Sequence, residues 1–432
     1  MQLIRKFLWG ISFILISTLL FAQDNKKASI SDRQWLRKTE LTNTQVNILA
    51  SYYSQEGNHA VTTGGRGSEE LTSLAPVVVV NIPIDSTRQW TFDLGIDIVT
   101  SASLDYIDLV VSSDSRKDTR KHFSGTYTKK LAKPRITYSL TGGISNEYDV
   151  KSKSLGASIS KEFNNGNTEL SLKGSAFFDR WIRYEPVELR PIDSGDDQGE
   201  DNRNSYNFSL TYSQVVSKRL QFSLSAEVVF QSGLLSSPFH RVFMNDGIDV
   251  SGFNSRDLIL STKTRKIENL PDSRNRYPVS LRVNYFLNDL IVIRGYYRYY
   301  TDDFDITGHT ASLELPVKLS PFITIAPFYR YHTQTASKFF KPFGEHKTDA
   351  KFFSSDFDQA DLSSNKFGLF LRYAPLEDIS IFKTPFTKRS KNSFVHFRSI
   401  EFRTAFYDRS DGLNSSIFSF DLGFDLIPAK KK

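Results

Sequence analysis

From Gln45 onward, apolar and polar residues exchange places at every second position. Trp90, Phe92, Leu94, Ile96 and Ile98 alternate with Thr91, Asp93, Gly95 and Asp97. Leu220, Phe222, Leu224, Ala226 and Val228 alternate with Gln221, Ser223, Ser225 and Glu227, and Phe418 to Leu426 repeats the pattern. A period of two predicts strands with one apolar and one polar face. A soluble sandwich alternates as well, so strand length has to decide. These runs reach about 10–12 residues, where soluble strands take about five or six. At ~3.3 Å per residue and ~45° tilt they cover the ~25 Å apolar band of an outer membrane.

The connections alternate too. Short turns at Asp85–Gln89, Lys130–Lys133, Asn164–Asn167, Ser217–Arg219, Asn288–Asp289 and Leu319–Pro321 face longer links at Gln55–Thr72, Ser101–Asp118, Ile182–Asn204, Gly233–Tyr277 and Gln334–Ser363. Short turns on one side and long loops on the other are expected of a barrel threaded from the periplasm. The prediction is all-β: a transmembrane antiparallel β-barrel of about 16 strands over 43–428. The strands begin near Val46, Val77, Trp90, Lys121, Arg135, Lys153, Glu169, Tyr206, Leu220, Val279, Leu290, Gly308, Phe322, Lys366, Ser399 and Ser416. The fourth and sixth are the least regular, and losing one hairpin leaves about 14. Tyr52, Trp90, Trp181, Tyr297, Tyr299, Tyr331 and Tyr373 fall near strand ends, where interfacial girdles belong.

Composition agrees with that address. Arg5 and Lys6, the apolar run Phe7 to Phe21 and Ala22 read as a signal peptide over 1–22, the run being short of the ~20 residues a helical span needs. Residues 23–42 are expected as a short periplasmic lead-in, too short to fold as the plug of an energy-coupled receptor, and 429–432 as a basic tail. Losing Arg5 and Lys6 lowers the formal charge from +7 to +5, spread along the chain, which argues against nucleic acid as a partner. With Cys 0 there is no disulfide frame, thiolate metal site or cysteine nucleophile. The expected location is the bacterial outer membrane, with membrane lipid and the barrel-assembly machinery as partners. Asp421-Leu422-Gly423-Phe424 is similar to the terminal-strand signal that such machinery reads, although the chain continues to Lys432.

Several stretches resemble the outer-membrane barrel family known as domain of unknown function 3570. They are Ser51-Tyr-Tyr-Ser-Gln-Glu-Gly-Asn-His59 with Gly64 and Gly65, then Pro186–Arg190, Gly233–Phe243, Asn269–Ser273, Asp302–Thr310, Tyr329–Gln334 and Tyr407–Gly412. Arg66 departs from the apolar residue expected there. The resemblance implies a barrel and no established activity. It also implies gene neighbours (a flavin transferase, a thioredoxin-like protein, a small lipoprotein) that point to envelope redox traffic.

The polar face carries the candidate chemistry. Arg282, Arg294, Arg298, Arg330, Arg372 and Arg403 fall in the phase expected to face the lumen, with Glu314 and Glu401 beside them and Asp93, Asp97, Asp421 and Asp425 across the closure. Two readings stay open: a polarised pore favouring anions, or a salt-bridged interior that fills the barrel. Asp302, Asp303 and Asp305, and the acidic run Asp193 to Asp201, are weak metal candidates, lacking the spacing of a dedicated calcium loop. Asp303 with His309 or His332 is the nearest approach to an acid–base pair, without a nucleophile signature, so no enzyme and no cofactor are expected. Gly64-Gly65-Arg66-Gly67 reads as a flexible outer loop. The long periplasmic link Ala374 to His396 offers Phe382, Lys383, Phe386, Lys388, Arg389 and Lys391 as a docking segment for a periplasmic or lipoprotein partner. The leading functional expectation is a channel or transporter for small polar solutes. The alternative is a non-conducting accessory barrel in an envelope complex.

Overall fold

The alternating segments pair edge to edge in one antiparallel sheet that closes on itself. The structure, a computed structural model, describes residues 43–101, 117–190, 197–245, 247, 265–375, 379–383 and 394–427. The expected signal peptide, lead-in and tail lie outside those residues. The strands are β1 (Thr44–Glu56), β2 (Leu71–Pro83), β3 (Arg88–Ser101), β4 (Lys117–Leu131), β5 (Ile136–Asn146), β6 (Val150–Phe163), β7 (Thr168–Tyr184), β8 (Asp197–Val215) and β9 (Leu220–Gly233). An outer loop holds β10 (Arg241–Asn245) and β11 (Arg265–Ile267). The wall resumes with β12 (Ser273–Arg276), β13 (Val279–Phe286), β14 (Val292–Thr301), β15 (Thr307–Glu314), β16 (Val317–Lys318) and β17 (Ile323–Gln334). After β18 (His346–Lys347), itself in a loop, come β19 (Leu362–Tyr373), β20 (Ile379–Lys383), β21 (Phe394–Arg409) and β22 (Asn414–Ile427).

The sheet has 19 segments, but β12 runs on into β13, β15 into β16 and β19 into β20, which leaves a ring of 16 strands. Closure is made by β22 lying against β1, with Phe424 opposite Val46 and Phe418 opposite Tyr52. Hydrocarbon offers no water to satisfy an open edge, so a spanning sheet has to close in this way. Each strand then obeys the period read from the sequence. Leu94, Leu140, Leu155, Leu210, Leu224 and Phe367 present their side chains outward as exposed apolar groups. The protein is an outer-membrane β-barrel with its apolar face toward lipid.

Three details depart from the sequence reading. β2 starts at Leu71 and β8 at Asp197, both earlier than expected: the polar upper part of β8 is held by pairing with β7 and not by an apolar face, and in β2 Leu71 to Leu74 pair with Ile98 to Ser101, Leu74 being exposed on the lipid side. Six of the seven predicted girdle aromatics are exposed, but Trp181 is only 4% accessible. It faces inward, with the guanidinium of Arg203 4.4 Å from its ring, and Arg203 lies 3.5 Å from Asp179. Finally, part of the long periplasmic link is strand: Ile379 lies opposite Phe397, so β20 extends the β19 line. Residues 384–393 lie outside the described residues. Among the short turns, Asn164, Asn165 and Gly166 adopt positive φ, a tight reversal suited to Asn and Gly.

Neighbouring residues on β9 test the phase. Leu224 is 46% exposed on the lipid side, whereas Ser225 bonds Thr211 at 2.9 Å on the other face. Leu224→Arg is expected to destabilise the barrel by about 2–4 kcal/mol, and Ser225→Arg by much less. Reversible urea unfolding in lipid vesicles measures both, and equal losses would mean that the assigned faces are wrong.

Candidate functional site in the lumen and its outer cap

The lumenal face is made of two unlike halves. On β4 to β9 it carries mainly short hydroxyl side chains joined across strands. Thr126 bonds Thr141 at 2.9 Å, Ser139 bonds Ser158 at 2.7 Å and Ser213 bonds Ser223 at 3.0 Å. Short side chains leave the space in front of this half open. The half from β13 to β21 carries long cations interleaved with rings. Arg282 lies 5.2 Å from the Tyr296 ring, Arg298 5.5 Å from Tyr300, and Arg403 5.5 and 5.2 Å from Phe328 and Phe370.

Toward the periplasmic end the cations are neutralised. Arg294 bonds Glu314 at 2.8 Å and Arg372 sits 3.3 Å from Glu401. Even so, the Arg294 side chain keeps 47% of its surface accessible while facing the axis, and Arg330 is exposed as well. Water therefore reaches this wall. Asp93, Asp97, Asp421 and Asp425 have local partners instead of reaching across to the arginines. His122 lies 3.2 Å from Asp93 and 3.7 Å from Asp97, over Gly95, where any side chain would collide with the ring. Arg120 is 3.8 Å from Asp97, Asn47 donates to Asp421 at 3.0 Å, and Arg398 is 3.9 Å from Asp425.

Above the lumen the outer loops interlock. The β1–β2 loop and the β9–β12 loop spring from hairpins eight strands apart in the ring of 16, on opposite sides. Yet Arg241, at 1% accessibility, donates to the Thr62 carbonyl at 2.8 Å and to Glu188 at 2.6 Å. Loops from opposite sides can touch only by crossing the mouth. Gly64 and Gly65, both at positive φ, make the crossing possible, since a Cβ would come 2.6 Å from Phe243 and 2.7 Å from the Ser355 carbonyl. The expected flexible glycine loop is thus packed.

The β17–β19 loop joins the same cap. β18 pairs with β10, His59 stacks on Phe357 at 3.6 Å, and buried Glu268 accepts from the Ser237 amide at 2.8 Å and from Ser354. Val242, Met244 and Phe353 form one small apolar core there, and Leu235, Leu270 and Phe304 another.

The remaining candidates serve the rim. Asp302 accepts from Arg274 at 2.9 Å, from the Tyr300 hydroxyl at 2.6 Å and from the Phe304 and Ile306 amides at 3.0 Å, so its carboxylate holds the turn. Asp303 accepts from the Asn275 amide at 3.0 Å, and Asp305 lies 3.4 Å from Lys338. Of the acidic run, Glu200 pairs with Arg180 and Asp201 lies 3.3 Å from Arg183, while 191–196 are outside the described residues. His309 bonds Tyr297 at 2.8 Å on the outer face and His332 bonds Thr310 at 2.9 Å on the inner one, so the wall separates the two imidazoles. Of the proposed docking residues, Phe382 and Lys383 end β20, and Phe386, Lys388, Arg389 and Lys391 are outside the described residues.

Sequence reasoning missed several residues. Asp118, Glu147 and Asp149 bring carboxylate oxygens within 4.8 Å of one another at the outer rim, and burial, then the bond to Asp118, raises the Glu147 carboxyl above the usual range. Their separation in the chain gave no signal. Lys366 was missed although strand parity with Arg372 places it on the lumenal face.

The profile of the family described as protein of unknown function (DUF3570) matches residues 108–375. The chain belongs to this family. No curated protein matches its sequence. Solved structures similar to this DUF3570 barrel include the siderophore receptor PirA from Acinetobacter baumannii, at 10% identity and TM-score 0.41 over 86% of this chain and 54% of the receptor. OccK9 (OpdG) of Pseudomonas aeruginosa shows 8% identity and TM-score 0.38 over 89% and 98%. A BenF-like porin from Pseudomonas fluorescens Pf-5 shows 9% identity and TM-score 0.38 over 89% and 99%. The chain spans about half the length of the siderophore receptor.

Two measurements test the cap. Arg241→Ala should speed proteolysis within 57–70 and 234–245 of the purified barrel while leaving the wall intact; unchanged digestion would mean that the crossing contact does not hold the loops. Burial, then the field of Asp358, pushes Glu69 up to about 7, against the pull of Arg409. A raised carboxyl favours the folded cap in its protonated form. That stability is complete below the ordinary glutamate range and is lost as pH rises through about 7. Cap digestion should therefore quicken between pH 5 and 8, and Glu69→Gln should flatten the profile.

Proposed function

We propose that the barrel is a water-filled channel for small polar solutes that favours anions. The observation carrying this reading is the accessibility of Arg294 and Arg330 on an inward face, opposite a wall of short hydroxyl side chains. A salt-bridged, filled interior would bury those guanidiniums. Rings of about 16 strands are wide enough to leave an aqueous lumen, and arginines lining one side bias the field toward anions. The outer cap lowers conductance without abolishing the path.

Purified barrel in a planar bilayer should give discrete current steps. In a potassium chloride gradient the reversal potential should lie on the anion side. Arg298→Glu with Arg403→Glu should move it toward cation preference. A folded, heat-modifiable barrel that never conducts would favour the accessory-barrel reading instead.

A further inference from the structure

Higher in the wall, the pairing of charges stops. Arg330 on β17 and Lys366 on β19 are direct cross-strand partners on the lumenal face. The charges acting on Lys366 are those of Arg330 and Arg403, and beside Arg330 stand the phenols of Tyr296 and Tyr407 and the guanidinium of Arg298, so that no carboxylate is among the groups acting on either. Like charges directly opposite each other in a sheet are destabilising. The carboxylates whose fields reach this cluster stand at its margins: Glu401 is held by Arg372, and Glu227 lies beyond Arg298. Nothing about wall stability calls for this arrangement, since Arg294 and Arg372 show that the same wall supplies carboxylates where it needs them.

The cluster is also built to a shape. Phe328 lies over Gly368, where a Cβ would come 2.6 Å from the ring. With Phe370 it gives the Arg403 guanidinium two aromatic faces to rest against. Tyr407 stands opposite Lys366, and Ser312 opposite Arg330. Arg330 and Lys366 stand at one level, one step of ~4.8 Å apart, and Arg403, on the next strand, stands opposite Phe370, four residues nearer the periplasm; the backbone span is roughly 16 Å, which the three long side chains shorten. That span suits separated anionic groups better than a single chloride.

We infer that Arg330, Lys366 and Arg403 form a binding site in the lumen for a small polyanion carrying two or more carboxylate or phosphate groups. The inference rests on the anion-path reading and goes further, naming where the anion stops and what chemistry it carries. Guanidinium groups take carboxylate or phosphate oxygens in pairs, and the lysine adds a point charge between them.

The test is calorimetric titration of the full-length barrel in detergent at low salt, with citrate in one arm and pyrophosphate in the other. Saturable one-to-one binding is expected in at least one arm, and the tighter arm assigns the anionic group. Arg330→Gln with Lys366→Gln should weaken it at least about tenfold, more than a charge-assisted contact at the rim would. Lys153→Gln, which removes a charge from the outer face, should leave it unchanged. A second readout separates binding from scaffolding. Without ligand, Lys366→Gln should raise the melting temperature by removing repulsion; a fall would mean that the lysine holds the wall, and would overturn the inference. Equal binding by wild type and the double variant, or none in either arm, would overturn it too. Currents recorded in parallel keep the two ideas apart. Conduction without saturable binding sinks the site alone, and binding without conduction sinks only the channel.

Discussion

In hydrocarbon no water is available to an unpaired N–H or C=O, so every backbone group crossing the membrane must be satisfied within the wall itself. The pairing of β1 with β22 removes the last open edge, and the rest of the molecule follows from it. A closed sheet has only an inside and an outside, so a strict alternation must put every apolar side chain of one phase toward lipid and every polar one toward the axis. That is how a chain with mean hydropathy −0.35 becomes a membrane protein without one helix long and apolar enough to span a membrane among the described residues.

Closure fixes the faces but not what the inner face carries, and there the barrel divides. The hydroxyl half is satisfied by short cross-strand bonds and takes up little volume. The cationic half keeps long side chains upright by resting guanidiniums on rings, each contact contributing roughly 0.5–1 kcal/mol at a wet site. Carboxylates neutralise the lower part of that half and withdraw from its middle. Positive potential is thereby concentrated where the opposite wall leaves room, while the acidic groups near the closure are engaged by His122, Arg120, Asn47 and Arg398.

Strand identity and phase were legible because lipid enforces a period of two on every spanning residue. Where lipid does not reach, the pattern weakens. The upper part of β8, from Asp197 to Ser205, is polar at nearly every position and reads as loop, yet it pairs with β7, with one irregularity between Glu200 and Asp197. Trp181 illustrates a different limit. Residue type placed it in the girdle, but parity with Asp179 turns it inward beneath Arg203. Lys366 was within reach of the parity argument. Arg241 was not, because its partners Thr62 and Glu188 are brought to it only by loops that cross the mouth.

The anchoring of those loops limits how the mouth can open. Arg409 at the top of β21 bonds Asp358 in the cap at 2.7 Å, Arg274 on β12 bonds Asp302 at 2.9 Å, and Gln55 on β1 donates to Glu69 at 2.9 Å. These ties rise from separate parts of the rim. Stranding one partner of a buried ion pair costs about 3–5 kcal/mol. Lifting the cap as a rigid lid would break several such ties at once, and opening a single loop breaks its contacts with the neighbouring loops as well, as Arg241 shows with Thr62 and Glu188. Each of the two apolar cores also joins different loops, Val242 and Met244 packing with Phe353 in one and Leu235 and Leu270 with Phe304 in the other, so the loops hold one another as well as the rim. On the channel reading proposed above, solute entering from outside therefore passes beside an interlocked cap that keeps its contacts, and not through a lid that lifts.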